Sequence, residues 1–98
     1  MLPIETRIRL NYILYRFLKL SYSTDEEIEF LYQAEIINPD LTVLPTENQI
    51  WEMVFFIIIA RGYSPISNTF NLVTGILDKK KIKYKIPERL AITWGLVS

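Results

Sequence analysis

A run of eight consecutive apolar residues, 53–60, constrains the fold of this chain more than any other feature. It follows a helix-start signal in which Thr46 can act as the cap and Gln49 stands three residues later. A helix that is apolar on nearly every side must be surrounded by other elements, so we predict a central buried helix over 46–61. A buried strand over 53–60 is the alternative, because Val, Phe and Ile favour sheets. The run is too short to cross a bilayer, which takes roughly 20 residues.

Three other helices are predicted around this one. Residues 4–20 place apolar side chains at helical spacing. A capping-box pattern at 23–27 starts the second helix, and the Asn-Pro-Asp sequence at 38–40 ends it. A Ser-Pro pair starts the fourth helix, which runs over 65–78. Residues 41–44 are expected to form a brief strand between the second and third helices.

The C-terminal part of the chain changes from a helical period to a period of two. Ile and Tyr alternate with lysines over 81–86, and apolar residues occupy every second position from 90 to 96. Both patterns are typical of half-buried strands, and Pro87 lies between them at a predicted turn. The fold prediction is therefore mainly α: one compact domain, residues 1–98, of four helices closed by a C-terminal β-hairpin.

The order of these elements resembles the winged helix-turn-helix fold, in which one helix enters the DNA major groove and a hairpin forms the wing. The resemblance rests on element order over about three quarters of the chain and on no family motif. It implies that the fourth helix reads base edges and that the basic hairpin contacts phosphates. The implied nucleic-acid-binding residues are Ser67, Asn68, Asn71, Lys79, Lys81, Lys83 and Lys85.

The charged residues are segregated along the chain. Residues 1–60 hold 4 Lys or Arg against 9 Asp or Glu, and residues 61–98 hold 7 against 2, so the net charge of zero conceals a dipolar molecule. This segregation suits a charged partner: a second copy, another protein or a nucleic acid. The neutral total charge weighs against duplex binding. The lysines also suit a solvated strand edge, where they discourage aggregation.

Two surfaces are predicted to bind a partner. The first helix has more apolar surface than one core contact requires, because its tyrosines add to its aliphatic positions. The acidic start of the second helix either complements the helix dipole or forms an acidic docking face. The predicted partner-binding residues are Tyr12, Tyr15, Asp25, Glu26, Glu27 and Glu29.

Composition argues against catalysis. The chain has no Cys and no His, so thiolate chemistry, the usual general base and the usual zinc ligands are missing. Its three glycines are too far apart for a phosphate-binding loop, and the carboxylates at 25–29 do not match an EF-hand. We expect no enzymatic activity, cofactor, metal or small-molecule substrate. The N-terminus lacks the features of a signal peptide, so an intracellular, cytoplasmic location is expected.

The sequence thus favours a non-catalytic protein–protein interaction module, an adaptor, assembly factor or inhibitor with an acidic N-terminal face and a basic C-terminal hairpin. Its expected partner is another protein or a second copy of the chain, and no membrane is expected. The alternative is a winged helix-turn-helix protein that binds nucleic acid.

Overall fold

The computed structural model describes residues 2–38, 40, 42–61 and 68–97 of the 98-residue chain. Within these ranges the backbone forms five helices and no strand. The helices are α1 (Ile4–Ser21), α2 (Asp25–Gln33), α3 (Glu47–Arg61), α4 (Thr69–Lys79) and α5 (Glu88–Val97). The prediction of a mainly α fold is confirmed, whereas the predicted C-terminal hairpin is wrong.

Two helices begin where the sequence predicts, each with a capping box. At α2, Thr24 Oγ1 accepts from the Glu27 backbone N–H at 3.1 Å, and the Glu27 carboxylate accepts from the Thr24 backbone N–H at 3.3 Å. At α3, the Gln49 backbone N–H donates to Thr46 Oγ1 at 3.1 Å, and the Thr46 N–H donates to the Gln49 side-chain oxygen at 2.9 Å. Both arrangements satisfy backbone N–H groups that have no partner inside the helix.

Helix α2 ends earlier than the Asn-Pro-Asp sequence predicts. It closes in a Schellman motif, with the Ile36 N–H donating to the Leu31 carbonyl at 2.9 Å and the Glu35 N–H donating to the Tyr32 carbonyl at 3.1 Å. Glu35 adopts a φ of 59°, a conformation usually supplied by glycine or asparagine. The buried side chains of Leu31 and Ile36 stabilise this turn, and the local sequence gives no glycine to signal it.

Helices α1 and α3 lie side by side and run in the same direction. Near their starts, the Arg7 guanidinium in α1 donates to the carbonyl of Pro45, just before α3, at 3.0 Å. At their ends, Arg61 Nη2 in α3 donates to the Leu20 carbonyl at 2.5 Å. Helix α2 runs antiparallel to both. Tyr32 near its end lies beside Tyr15 in α1, and the Glu35 carbonyl just after it accepts from Gln49 in the first turn of α3 at 3.2 Å.

Helix α3 is the central element, as its apolar composition predicts. It contacts α1, α4 and α5, and its contact with α1 is the most extensive. Its buried residues are Ile50, Trp51, Met53, Val54, Ile57 and Ile58. Within the described residues, none of the helices is both long enough and apolar enough to cross a bilayer.

The predicted strand over 81–86 is wrong, although its two-residue period is real. Ile82, Tyr84 and Ile86 are half-buried against the core, and the lysines between them are exposed. The Ile82 N–H closes α4 by donating to the Leu77 carbonyl at 2.9 Å. Alternating burial indicates extended backbone lying on a core, but it does not supply the neighbouring strand that a sheet needs.

The predicted second strand, 90–97, lies in α5. The first helical hydrogen bond of α5 runs from the Ala91 N–H to the Pro87 carbonyl at 3.0 Å, so Pro87 stands at a helix start and not in a hairpin turn. The prediction of a brief strand at 41–44 is also wrong for the described residues 42–44, which contain no strand. Residue 41 lies outside the described residues.

The apolar pattern of α5 fits a helix as well as it fits a strand. Leu90 is buried and Trp94, one helical turn later, is half-buried, whereas Ile92 and Leu96 are exposed. Because all four positions are apolar, the sequence does not separate a period of two from a period of 3.6. Without a hairpin in the described residues there is no wing, and the resemblance to a winged helix-turn-helix fold is overturned.

A glycine in the middle of α4 gives a direct test of helix assignment. Gly75 is exposed, and a Cβ added there would meet no atom within 4 Å. Gly75→Ala should raise the free energy of unfolding by about 0.5–1 kcal/mol, because alanine loses less conformational entropy in a helix. Urea denaturation followed by circular dichroism measures the change. A loss of stability would contradict an open helical site at this position.

Candidate functional site

An open groove of about 250 Å³ lies between the first half of α1 and the loop that precedes α3. Ile4 and Ile8, one helical turn apart, form the α1 wall and are 57% and 56% exposed. Val43 and Leu44 form the loop wall and are also exposed. Exposed aliphatic side chains on both walls form an apolar surface whose burial releases free energy. These four residues define what we call the α1 groove.

Hydrogen bonds hold both walls of the α1 groove in place. The Arg7 guanidinium donates from Nε to the Leu2 carbonyl at 3.1 Å and from Nη1 to the Pro45 carbonyl at 3.0 Å, which joins α1 to the loop. Thr42 donates to the Asp40 carboxylate from its hydroxyl at 2.6 Å and its backbone N–H at 3.0 Å. Those two bonds lower the pKa of Asp40. The bond from Arg7 to Pro45 fixes the loop wall against α1, which reduces the entropy lost on binding.

The two tyrosines predicted to bind a partner have different surroundings. Tyr12 is 60% exposed one turn beyond the α1 groove, with the Arg16 guanidinium 6.0 Å from its ring centroid. Tyr15 is half-buried against the core, and its hydroxyl lies 3.4 Å from that of Tyr32. Lys19 Nζ lies 5.5 Å from the Tyr15 ring centroid. Tyr12 is accessible to a partner, whereas Tyr15 mainly joins α1 to α2.

The acidic start of α2 is exposed, and two of its four carboxylates have structural roles. Glu27 closes the capping box, and Glu29 accepts from Gln33 Nε2 at 2.8 Å. Asp25 and Glu26 make no side-chain hydrogen bond or ion pair with any described residue. Carboxylates in a first turn also complement the helix dipole, so this cluster stabilises α2 whether or not a partner binds it.

Five exposed lysines follow one another at the end of α4 and along the extended segment. They are Lys79, Lys80, Lys81, Lys83 and Lys85, and none is paired with a described carboxylate. By contrast, Arg89 pairs with Glu52 at 2.7 Å. The Tyr84 ring anchors the segment 5.9 Å from Trp51, and its hydroxyl donates to Asp78 at 3.0 Å. Burial, and then that hydrogen bond, raises the pKa of Tyr84.

The predicted base-reading residues are only partly described. Ser67 lies outside the described residues. Asn68 stands at the N-cap of α4 without a side-chain capping bond, and Asn71 is exposed one turn later. The wing that was expected to accompany them is absent from the described part of the chain.

A second exposed apolar surface lies on α5. Ile92 and Leu96, one turn apart, are 56% and 82% exposed. Ala91 and Gly95 beside them are small and exposed, and a Cβ added at Gly95 would meet nothing within 4 Å. Another chain can therefore approach the α5 backbone closely along this face, which we call the α5 ridge.

The residues of the α1 groove and the α5 ridge are not distinguished by the sequence pattern alone. The apolar pattern over 4–20 does not separate Ile4 and Ile8 from the other apolar positions of α1, and Ile92 and Leu96 belong to the alternating pattern that predicts a strand. The available signal was the helical wheel, on which Ile8 lies about 160° from Leu10. That signal separates the two faces only after the helical period is established.

Comparison with known proteins found no match to the chain among family models, curated proteins or solved structures. Its function must therefore be inferred from its own surfaces. Two of these, the α1 groove and the α5 ridge, are apolar, and the surface with the five exposed lysines of residues 79–85 is basic.

Proposed function

We propose that the chain is a non-catalytic interaction module that binds protein through the α1 groove, and that the first partner is a second copy of the same chain. The exposed pair Ile4 and Ile8, facing Val43 and Leu44, carries the proposal. Single exposed aliphatic side chains are common on protein surfaces. An apolar groove with two walls held by hydrogen bonds is a typical binding surface for a partner's apolar side chains.

The α5 ridge supplies a suitable occupant for the α1 groove. An amphipathic helix commonly binds by placing apolar residues one turn apart into a hydrophobic groove. Ile92 and Leu96 have that spacing, and Gly95 permits close backbone contact. Each copy thus carries both an apolar groove and an apolar helical ridge.

The groove and the ridge are different surfaces, which restricts how copies can assemble. Two copies that exchange ridges form a closed symmetric dimer with two equivalent contacts, whereas one-way contacts form rings or open chains. Two contacts bring the buried area closer to the roughly 1,200–2,000 Å² of a stable interface. The acidic start of α2 and the lysines then affect the association rate and its salt dependence more than the affinity.

Ile8→Ser tests the α1 groove directly. Removing a central apolar contact costs about 2 kcal/mol, or roughly a thirtyfold higher dissociation constant, for each groove–ridge contact. A closed dimer loses two such contacts, so its dissociation constant should rise by more than the effect of one. Sedimentation velocity over a range of protein concentrations measures that constant. The fold should survive, because Ile8 is more than half exposed.

Ile59→Ser is the matched control, since Ile59 is 54% exposed at the end of α3 and is not part of the groove or the ridge. It should associate like the unmodified chain. A monomer at every concentration would overturn self-association, and equal weakening by both substitutions would show that general hydrophobicity is responsible.

A further inference from the structure

We infer that the lysines of the extended segment form a binding site for single-stranded nucleic acid, separate from the α1 groove. We call Lys81, Lys83 and Lys85 the lysine row. Each is exposed, and each lies beside a half-buried residue that packs on the core. The site needs no wing, so it does not depend on the overturned resemblance.

The lysine row begins in the turn that closes α4 and continues along the extended segment. Lys81 has a φ of 57° in that turn. Extended backbone rises about 3.3 Å per residue and its alternate side chains share a side, so Lys83 and Lys85 start about 6.6 Å apart. Lys79 and Lys80 continue the positive charge onto the last turn of α4. The result is a run of five exposed ammonium groups over residues 79–85, which one flexible phosphate backbone can contact.

The lysine row lacks internal neutralisation. None of its ammonium groups pairs with a described carboxylate, and the nearby Asp78 accepts from the Tyr84 hydroxyl. Positive groups held close together repel each other. A polyanion relieves this repulsion and releases its own condensed counterions on binding, which is the main source of affinity in phosphate recognition.

Backbone donors accompany the lysine row. The N–H groups of residues 83–86 donate to no acceptor among the described residues. Backbone N–H groups and lysine ammoniums are both common phosphate donors. An added peptide strand would also satisfy such groups, but lysines along an edge discourage strand pairing. The observations therefore favour a phosphate backbone over a peptide.

The test is fluorescence anisotropy of a labelled oligodeoxythymidine of about 16 nucleotides, titrated with the full chain at about 50 mM and about 200 mM salt. The variant Lys81→Glu, Lys83→Glu, Lys85→Glu removes the row. The control variant Arg9→Glu, Arg16→Glu, Lys19→Glu changes the net charge equally, using exposed residues of α1. Circular dichroism and thermal unfolding check that both variants are folded.

The row variant should raise the dissociation constant about tenfold or more and reduce the salt slope by about 2, close to 0.7 for each lost phosphate contact. The control should change the constant less than about threefold. Three results would overturn the inference: no binding at the lower salt, equal weakening in both variants, or displacement of the oligonucleotide at lower concentration by polyglutamate than by unlabelled oligodeoxythymidine. The last would assign the row to an acidic protein surface.

Discussion

Leu90→Ala is expected to lower the free energy of unfolding by about 2–5 kcal/mol, the range for truncating a buried leucine. Leu90 is 2% exposed in the first turn of α5. Beside it, the Arg89 guanidinium pairs with Glu52 at 2.7 Å and lies 4.0 Å from the Phe55 ring centroid. These contacts hold the start of α5 on α3 and limit its movement into the vacated space. Urea denaturation followed by circular dichroism measures the loss.

Ile92→Ala is the matched comparison, and it should change stability by no more than about 0.5 kcal/mol. In a strand, residues 90 and 92 would share the inner face and both substitutions would be costly. In α5 they lie about 160° apart, and Ile92 is 56% exposed. The measurement is made at concentrations where the chain is monomeric, so that loss of self-association does not contribute. Equal losses would contradict a C-terminal helix.

Leu14→Ala should also lower the free energy of unfolding by about 2–5 kcal/mol. Leu14 is fully buried in the middle of α1, the helix that has the most extensive contact with α3. The hydrogen bonds from Arg7 and Arg61 join the two helices near both ends, so α1 cannot readily shift to fill the cavity. Thermal unfolding and urea denaturation should agree on the loss.

Leu20→Ala provides the comparison on the same helix. Leu20 is 60% exposed, and its truncation should change stability by no more than about 0.5 kcal/mol. If Leu14→Ala also changed stability by no more than about 0.5 kcal/mol, the face of α1 that carries Leu14 would not be packed against the core. If Leu20→Ala were as costly as Leu14→Ala, the exposed side of α1 would be assigned incorrectly.

The sequence predicts the first three helices well because their signals are local. Capping boxes fix the starts of α2 and α3, and a helix as apolar as α3 has to be central. The ends are less predictable: Glu35 and Lys81 adopt φ values of 59° and 57° that their side chains do not favour. Burial of a neighbouring side chain, Ile36 at one turn and Leu77 at the other, offsets the free-energy cost of these conformations. That burial exists only in the folded chain, so the local sequence does not signal it.

The C-terminal error has a different physical cause. Ile82, Tyr84 and Ile86 alternate because they pack on a helical core, and no strand lies beside them in the described residues. Periodicity reports the geometry of a segment and which side is buried, but it contains no information about hydrogen-bonded neighbours. Pro87 followed by Glu88 fits a helix start as well as a turn, because proline and an acidic residue are both favoured in the first turn of a helix.

The candidate sites could be predicted only in part. The excess apolar surface of α1 is visible in the sequence, but its location depends on where the loop before α3 packs. Tyr12 remains exposed, whereas Tyr15 lies against Tyr32. Val43 and Leu44 join Ile4 and Ile8 only through folding, since nearly 40 residues separate the two walls. The five lysines at 79–85 are the exception, because they lie within seven consecutive residues of the sequence.

Photo-crosslinking between copies tests the proposed use of the α1 groove most directly. A benzophenone amino acid replaces Tyr12, and the chain is mixed with an isotopically labelled copy so that mass spectrometry distinguishes crosslinks between molecules. The same replacement at Phe30, which is 55% exposed on α2, is the control. We predict that position 12 crosslinks to residues 88–97 of the other copy and that position 30 does not. Absence of crosslinks between copies, or an equal yield from both positions, would contradict the account.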